Sequence, residues 1–434
     1  MSTPAAAQET IPTYRIDLAK PPRLRYVEVV RDFGPRMRSL TSVFDTLLSA
    51  VIALSWLRVL IKVLSKVCLN RVYDKEEDEE IKGIANDSGV PLYLLVALNS
   101  VLDCLLGCTS GAVPVSARNR SKRQSACANT AATGGDEARL CHFRTLDWGM
   151  DELRDLLVVL EYVNSASQNP DQVIARSITY AGFVGSLTAV RKNLSLSLNF
   201  RPNHEHSNRS LRWHQLLVLL GKRRSISSMI RSIVLRPAEF HFGLEDSSPV
   251  GSRVQYKEGP ASQIERQARS IASMRSAPCY LVLCSGREAA VIEKDFNTGK
   301  VRTSTSFIAQ TNHDRGDEPD HLSSQTVNAL EAHRREIIIS SFDIKLWIEE
   351  STDRLECIQK KWDRHSTRFQ PGKASTVTGD EGPNISSTPS ITEETLRKWV
   401  SAHPTTNECT HFAAIIDPMA GEFRWLRRGP VKDD

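Results

Sequence analysis

The hydrophobic pattern of this chain changes its period at residue 108. Before that point, residues 10 to 107 read as largely helical. They comprise a Pro-rich entry, a long apolar run from Val43 to Leu69, an acidic helix start in YDKEEDEEIKGIA and the apolar segment PLYLLVALNSVLDCLLG, with Gly89 and Pro91 as punctuation. After it come short β-like runs: LLVVLEYV at 156 to 163, SITYAGFVGSLTAV at 177 to 190 and the alternating LSLSLNF at 194 to 200. A helical block at 213 to 235 separates these from CYLVLC (279 to 284), AAVIEKD (289 to 295) and SFIAQTN (306 to 312), after which a mainly helical stretch runs to about Trp362. The last element, HFAAIIDPMAGEFRWL at 411 to 426, reads as a hairpin around Pro418 and Gly421. This order predicts an α+β fold in which sheets are covered by helices, rather than an alternating parallel βαβ fold. Two polar segments rich in small residues, 115–140 and 371–390, are expected to be loop insertions.

Composition narrows the partners. Lys and Arg total 56 against 51 Asp and Glu, a net charge of +5 that is too mild to argue for nucleic acid. The nine cysteines form an odd, scattered set with no CxxC and no Cys/His metal spacing, so free thiols, no metal and no cofactor are expected. The N-terminus MSTPAAAQETIPTYRIDL lacks the basic and apolar regions of a secretory signal. That predicts a cytoplasmic or peripheral-membrane protein, or one from a lysosome-like compartment if the N-terminus is incomplete. In the 43–69 run, Arg58, Lys62 and Lys66 leave only Thr46 to Leu57 uncharged, about half a membrane span. On a helix these three make one cationic stripe opposite Leu47, Val51, Leu54 and Ile61, the pattern of a helix lying on a membrane surface. A core-packed helix with snorkelling basic residues is the competing reading.

Three short segments carry residues suited to chemistry. Cys108 follows Gly107 in LLGCTSGAV, where helical pattern gives way to strand pattern. Arg144 and Asp147 stand in CHFRTLDWGM, and Asn312 ends a strand-like run in AQTNHDR. Taken singly they read as a buried cysteine, a surface ion pair and a turn. Arg144 and Asp147, three apart on a strand, belong on opposite faces, so a bulge or turn is expected if both line one site.

Together these segments resemble the acid ceramidase and N-acylethanolamine acid amidase family of N-terminal-nucleophile hydrolases, related to choloylglycine hydrolases. The resemblance runs in order from IPTYRIDLAKPPRLRY through EEIKGIANDSGVPL, LLGCTSGAV, HFRTLDWGM, TYAGFVGSLTAVRKNLSLSLN, SAPCYLVL and IAQTNHDR to AIIDPMAGEF. It implies a four-layer αββα sandwich, self-cleavage between Gly107 and Cys108, a helical α-chain of residues 1–107 and a catalytic β-chain of residues 108–434. The implied activity is hydrolysis of the amide bond of N-acyl lipids, ceramide or N-acylethanolamine, by a cysteine amidase that visits membranes peripherally through 43–69.

The resemblance also assigns roles. Cys108 is the nucleophile, Arg144 and Asp147 its neighbours, Asn312 the oxyanion donor and Asn199 a polar position at the pocket edge. The α-amine freed at Cys108 has an ordinary pKa near neutrality and can act as general base, so no histidine is needed. Two positions depart from the family pattern. Phe200 stands where members carry an acidic residue, and PDHLSSQT follows Asn312 where an Asp-Arg-Arg motif is usual. Two readings compete: a catalytically silent lipid- or membrane-binding relative of the same fold, and a thiol hydrolase pairing Cys108 with His142, His313 or His321.

Overall fold

The computed structural model describes residues 10–41, 44, 54–101, 107–116, 138–202, 207–236, 261–315, 344–368 and 389–429. Most of the expected insertions 115–140 and 371–390 lie outside the described residues, as do Leu47, Val51 and His321. The N-terminal segment contains strand β1 (Thr13–Asp17) and helices α1 (Val27–Met37), α2 (Ser55–Cys68), α3 (Lys75–Ser88) and α4 (Leu92–Val101). Strands β2 (Gly107–Val115), β3 (Arg139–Asp147), β4 (Leu157–Val163), β5 (Ala175–Tyr180), β6 (Thr188–Arg191) and β7 (Leu194–Phe200) follow. Next come helices α5 (Asn208–Leu219), α6 (Ile226–Leu235) and α7 (Gln263–Ser273), then strands β8 (Cys279–Cys284), β9 (Ala289–Asp295), β10 (Thr298–Ser304) and β11 (Ile308–Gln310). The chain closes with the long helix α8 (Ile344–Arg368), α9 (Glu393–Val400) and the hairpin β12 (Thr410–Asp417) and β13 (Glu422–Arg428).

Local signals act where the sequence puts them. Asp74 caps α3 by accepting from the Glu76 and Glu77 amides, and Gly89, at φ 72°, ends it in the left-handed conformation that an L side chain resists. The run 177–190 breaks into β5 and β6 because Gly182, at φ 94°, turns the chain between them.

The strands form two sheets, ordered β1-β4-β5-β6-β7-β8-β9-β10 and β11-β2-β3-β12-β13. All neighbours are antiparallel except β1, which lies parallel to β4 with Thr13 opposite Val159. The segment before Cys108 is largely helical as expected, and that strand is an element in it that the sequence did not announce. Five residues alternating around the buried Ile16 are too short to announce a strand, and their partner lies far along the chain.

The two sheets stack through contacts of β2 with β7 and β8 and of β11 with β9. Helices α6 and α7 cover the outer face of the larger sheet and α8 and α9 that of the smaller, which makes the four layers αββα. Strand β2 shows how the layers sort side chains. Cys108 and Ala112 pack in clusters shared with the larger sheet, whereas Val113 and Val115 pack with Ile358, Trp362, Leu396 and Val400 of the helical layer. In β3, Leu146 takes the first side, and Cys141 and Phe143 the second.

Helix α2 buries none of its residues. Trp56, Val59, Val63 and Val67 form an exposed apolar stripe at helical spacing, flanked by Arg58, Lys62 and Lys66, whereas Leu54 and Ile61, four and three residues from Arg58, share the basic side instead of opposing it as expected. Among the described residues no helix is long and apolar enough to cross a membrane.

Candidate active site

Cys108 is fully buried at the start of β2, paired with Leu146 of β3. The alternation of the strand sends its sulfur between the two sheets, where the thiol faces the Leu198 carbonyl oxygen at 3.6 Å. Its amide N–H donates to Asn312 Oδ1 at 2.7 Å. Asn312 follows directly on β11, the other neighbour of β2, so the sheet order delivers it.

Arg144 lies on the sulfur side. Its guanidinium donates to Ser110 Oγ at 2.8 Å, to Leu198 O at 2.7 Å and to Asn199 Oδ1, all neutral oxygens. A buried cation whose hydrogen bonds end on dipoles is poised to stabilise an anion, whether thiolate or developing oxyanion. Burial nevertheless pushes the Cys108 thiol up to about 11, with Arg144 opposing that rise, so at neutral pH the sulfur is protonated and needs a base.

Asp147 occupies the opposite face. Its Oδ1 accepts from Thr410 Oγ1 at 2.7 Å, and Oδ2 lies 3.7 Å from Arg354 Nη1. Burial raises its pKa and Arg354 opposes the shift. Gly107 lies against it, since a Cβ there would stand 3.5 Å from the Asp147 Cβ. The β2–β3 register is unbroken from Gly107 to Val115, so Arg144 and Asp147 do project from opposite faces. No bulge in their own strand brings them together. The irregularity falls in β12, between Thr410 and Phe412, where an extra residue, His411, carries Thr410 to Asp147. Cys108 joins the two faces through its sulfur on one side and its backbone nitrogen at the edge.

Asn312 is held from several sides. Besides Cys108 N–H, its Oδ1 accepts from Arg354 Nη2 at 3.2 Å, its Nδ2 donates to Phe200 O at 2.9 Å, and its own amide donates to Ser351 Oγ at 2.8 Å. Its side-chain oxygen therefore holds the Cys108 nitrogen, and the NH₂ expected at the oxyanion is engaged by Phe200. Asn199 uses its whole amide internally: Oδ1 accepts from Ser110 and Arg144, and Nδ2 donates to Gln310 O at 2.9 Å and Thr311 O at 3.1 Å. It ties β7 to β2 and β11 and orients Arg144, rather than opening onto the pocket edge. All five residues singled out in the sequence thus meet in one place.

Arg354 escaped the sequence reading. It comes from α8, whose residues Trp347, Ile348, Ser351, Arg354, Ile358 and Trp362 recur at three- and four-residue spacing and are all buried. Two polar residues inside an apolar helical stripe were the available signal. Arg354 brings a guanidinium from the helical layer to both Asn312 and Asp147. Arg354→Ala should lower the stability of the uncut chain by about 3 kcal/mol, since it strands a buried carboxylate. Arg354→Lys should lose less, and denaturant titration checks both.

Among the described residues, histidine pairing with Cys108 finds no support. His142 spends its ring nitrogens on Ser195 and Ser197 at 2.8 and 2.9 Å, and burial lowers its pKa to about 3. His313 directs Nδ1 to Ser351 at 2.8 Å. Among the described residues no group of His, Cys, Asp or Glu could hold a metal ion.

Comparisons with known proteins converge on one family. A family model described as the beta subunit of N-acylethanolamine-hydrolyzing acid amidase matches residues 9–73. The acid ceramidase of Heterocephalus glaber is 21% identical over 348 residues, covering 75% of this chain and 75% of that protein. The N-acylethanolamine-hydrolyzing acid amidase of Caenorhabditis elegans is 27% identical over 201 residues, 43% of this chain and 47% of its own length. Among solved structures, the Caenorhabditis elegans ortholog of that amidase aligns over 71% of this chain and 93% of its own, with a TM-score of 0.40 and 14% identity. These findings support the acid ceramidase and N-acylethanolamine acid amidase family as the one this chain is similar to.

Proposed function

We propose that the protein is a self-cleaving cysteine amidase that hydrolyses the amide bond of N-acyl lipids, releasing a fatty acid and an amine. The observation that carries this reading is the setting of the Cys108 nitrogen. It is already held at 2.7 Å by Asn312 Oδ1, beside Arg354 and the Asp147 carboxylate, before it has become an amine.

In the first reaction the Cys108 sulfur attacks the Gly107 carbonyl carbon and the C–N bond breaks, leaving a thioester and a free α-amine at Cys108. Water hydrolyses the thioester, so residues 1–107 end in a carboxylate and the thiol is restored. In turnover the α-amine takes the thiol proton as sulfur attacks the lipid amide, and the leaving amine receives that proton. Water then releases the fatty acid from the acyl-enzyme. Asp147 orients the ammonium, and Arg144 favours the negative sulfur or oxyanion.

The test is incubation of purified, processed protein with ceramide, N-acylethanolamines and other N-acyl amides, reading fatty-acid release. Cleavage at Cys108 without release from any of them would favour the silent relative, whose supporting observation is Phe200 in place of an acidic residue.

The stripe on α2 supports delivery from a membrane. Its apolar residues are exposed and its basic residues flank them, a geometry suited to lying on an anionic bilayer. Each basic residue near such a surface contributes about 1 kcal/mol, so Arg58→Glu, Lys62→Glu and Lys66→Glu together should weaken vesicle binding roughly 10²-fold, in a salt-sensitive way. Sedimentation with anionic vesicles measures this. Undiminished binding by the folded triple variant would make the stripe an ordinary solvated face.

A further inference from the structure

Asn312 sits in the turn that follows β11, and one ion pair ties that turn to the end of β7. Arg201, buried, sends Nε to Asp314 Oδ1 at 2.8 Å and Nη2 to Asp314 Oδ2 at 2.6 Å, the parallel fork that a guanidinium makes with a carboxylate. Tyr280 of β8 donates its hydroxyl to Asp314 Oδ1, and its ring centre stands 5.7 Å from the Arg201 guanidinium. Arg201 Nη1 also reaches the Lys294 carbonyl of β9 at 3.1 Å. Burial would raise the Asp314 carboxyl, but Arg201 on both its oxygens holds it below the usual carboxylate range, so the pair stays ionised at neutral pH.

The pair takes no part in the chemistry described above, yet its members flank a contact that does. Arg201 directly follows Phe200, whose carbonyl accepts from Asn312 Nδ2 at 2.9 Å, and Asp314 stands two residues beyond Asn312. An amide NH₂ carries its two hydrogens in one plane, so the bond to Phe200 O sets where the other points. Ser351 holds the backbone amide of Asn312, and Cys108 and Arg354 meet its Oδ1. The Phe200 carbonyl aims the NH₂, and the fork fixes the strand end that carries this carbonyl against the turn that carries Asn312. A buried ion pair is seldom worth more to stability than apolar packing, and its attested use is to fix register.

We propose that Arg201 and Asp314, with Tyr280 bonded to the pair, are positioning residues for the amide hydrolysis, setting the direction of the Asn312 NH₂ and acting through Asn312 rather than on the lipid. The proposal rests on the N-acyl amidase reading and on Asn312 as the oxyanion donor.

Arg201→Met together with Asp314→Leu replaces the pair by apolar groups and leaves no stranded charge, so the fold should survive, as thermal melting will show. In the processed enzyme this double variant should lose roughly 10- to 10²-fold in kcat with KM changed less than about twofold, the signature of a misdirected group rather than of lost binding. Arg201→Lys keeps the charge but not the fork and should fall between the two; it carries the same comparison should the double variant not fold. In an Asn312→Ala background the double substitution should change kcat less than about twofold, since the group it positions is gone. A general loosening of the fold would instead cost the same in both backgrounds. Full kcat in the folded double variant overturns the proposal, as does an equal loss with and without Asn312. A wild-type enzyme that releases no fatty acid from any N-acyl lipid counts against the proposed function, and crystal structures of the uncut Cys108→Ala chain then decide the positioning by themselves. There the double substitution should move Asn312 Nδ2 out of hydrogen-bond reach of Phe200 O, and an undisturbed contact at 2.9 Å overturns the proposal.

Discussion

Cys108→Ala protein is expected to run as one full-length chain and to release no fatty acid from any N-acyl lipid. In the proposed mechanism self-cleavage and turnover use the same sulfur, and alanine removes it while filling the same buried position at the head of β2. The loss should reach the detection limit in both assays, since no other described cysteine lies among the residues gathered around Arg144, Asp147 and Asn312. Serine at this position retains a nucleophilic atom and should cleave slowly. Mass spectrometry and a fatty-acid release assay on the same preparation check the pair. Wild-type protein that hydrolyses N-acyl lipids while still one uncut chain would refute the mechanism.

Asn312→Ala should cost roughly 10²-fold or more in turnover, the scale of removing one preorganised polar partner from a buried reaction centre. It deletes the acceptor that fixes the Cys108 nitrogen and one of the contacts that hold Arg354 against the site. Asn312→Asp separates the two ends of the side chain. It keeps an oxygen for the Cys108 nitrogen and loses the NH₂ that donates to Phe200 O. If oxyanion stabilisation is the dominant role, the aspartate variant should cleave itself yet turn over as poorly as alanine. If holding the amine dominates, aspartate should recover much of the turnover. Steady-state kinetics of the processed variants decide between these, and a change below about threefold for alanine would place the oxyanion hole elsewhere.

What could be read in the sequence followed the range of the interactions involved. The alternation of LSLSLNF and CYLVLC, the hairpin around Pro418 and Gly421 and the cap at Asp74 are local patterns, and the structure puts elements there. Strand β1 was missed because its pairing with β4 is a non-local event that five residues cannot announce. Cys108, Arg144, Asp147, Asn199 and Asn312 lie within recognisable motifs, so their convergence was expected. How Arg144 and Asp147 reach one cysteine from opposite faces was not, because it depends on the bulge at His411 in a strand from the far end of the chain. Arg354 depends on how helices pack over sheets. Position in a helical stripe hints at such residues, but only packing tells what a buried guanidinium will meet.

The burial of Cys108 gives the uncut chain a chemical shelf life. With its thiol near 11, only about one sulfur in 10⁴ is ionised at neutral pH, and none of the residue is open to solvent. Alkylating reagents and peroxide, which consume thiolates, should therefore spare it and modify the exposed Cys68 first. A newly made chain can wait in an oxidising or electrophile-rich setting with the proposed nucleophile intact. If the proposed cut frees Cys108, the moment at which it begins to take up iodoacetamide marks the age of the molecule, a clock readable residue by residue in a mass spectrometer.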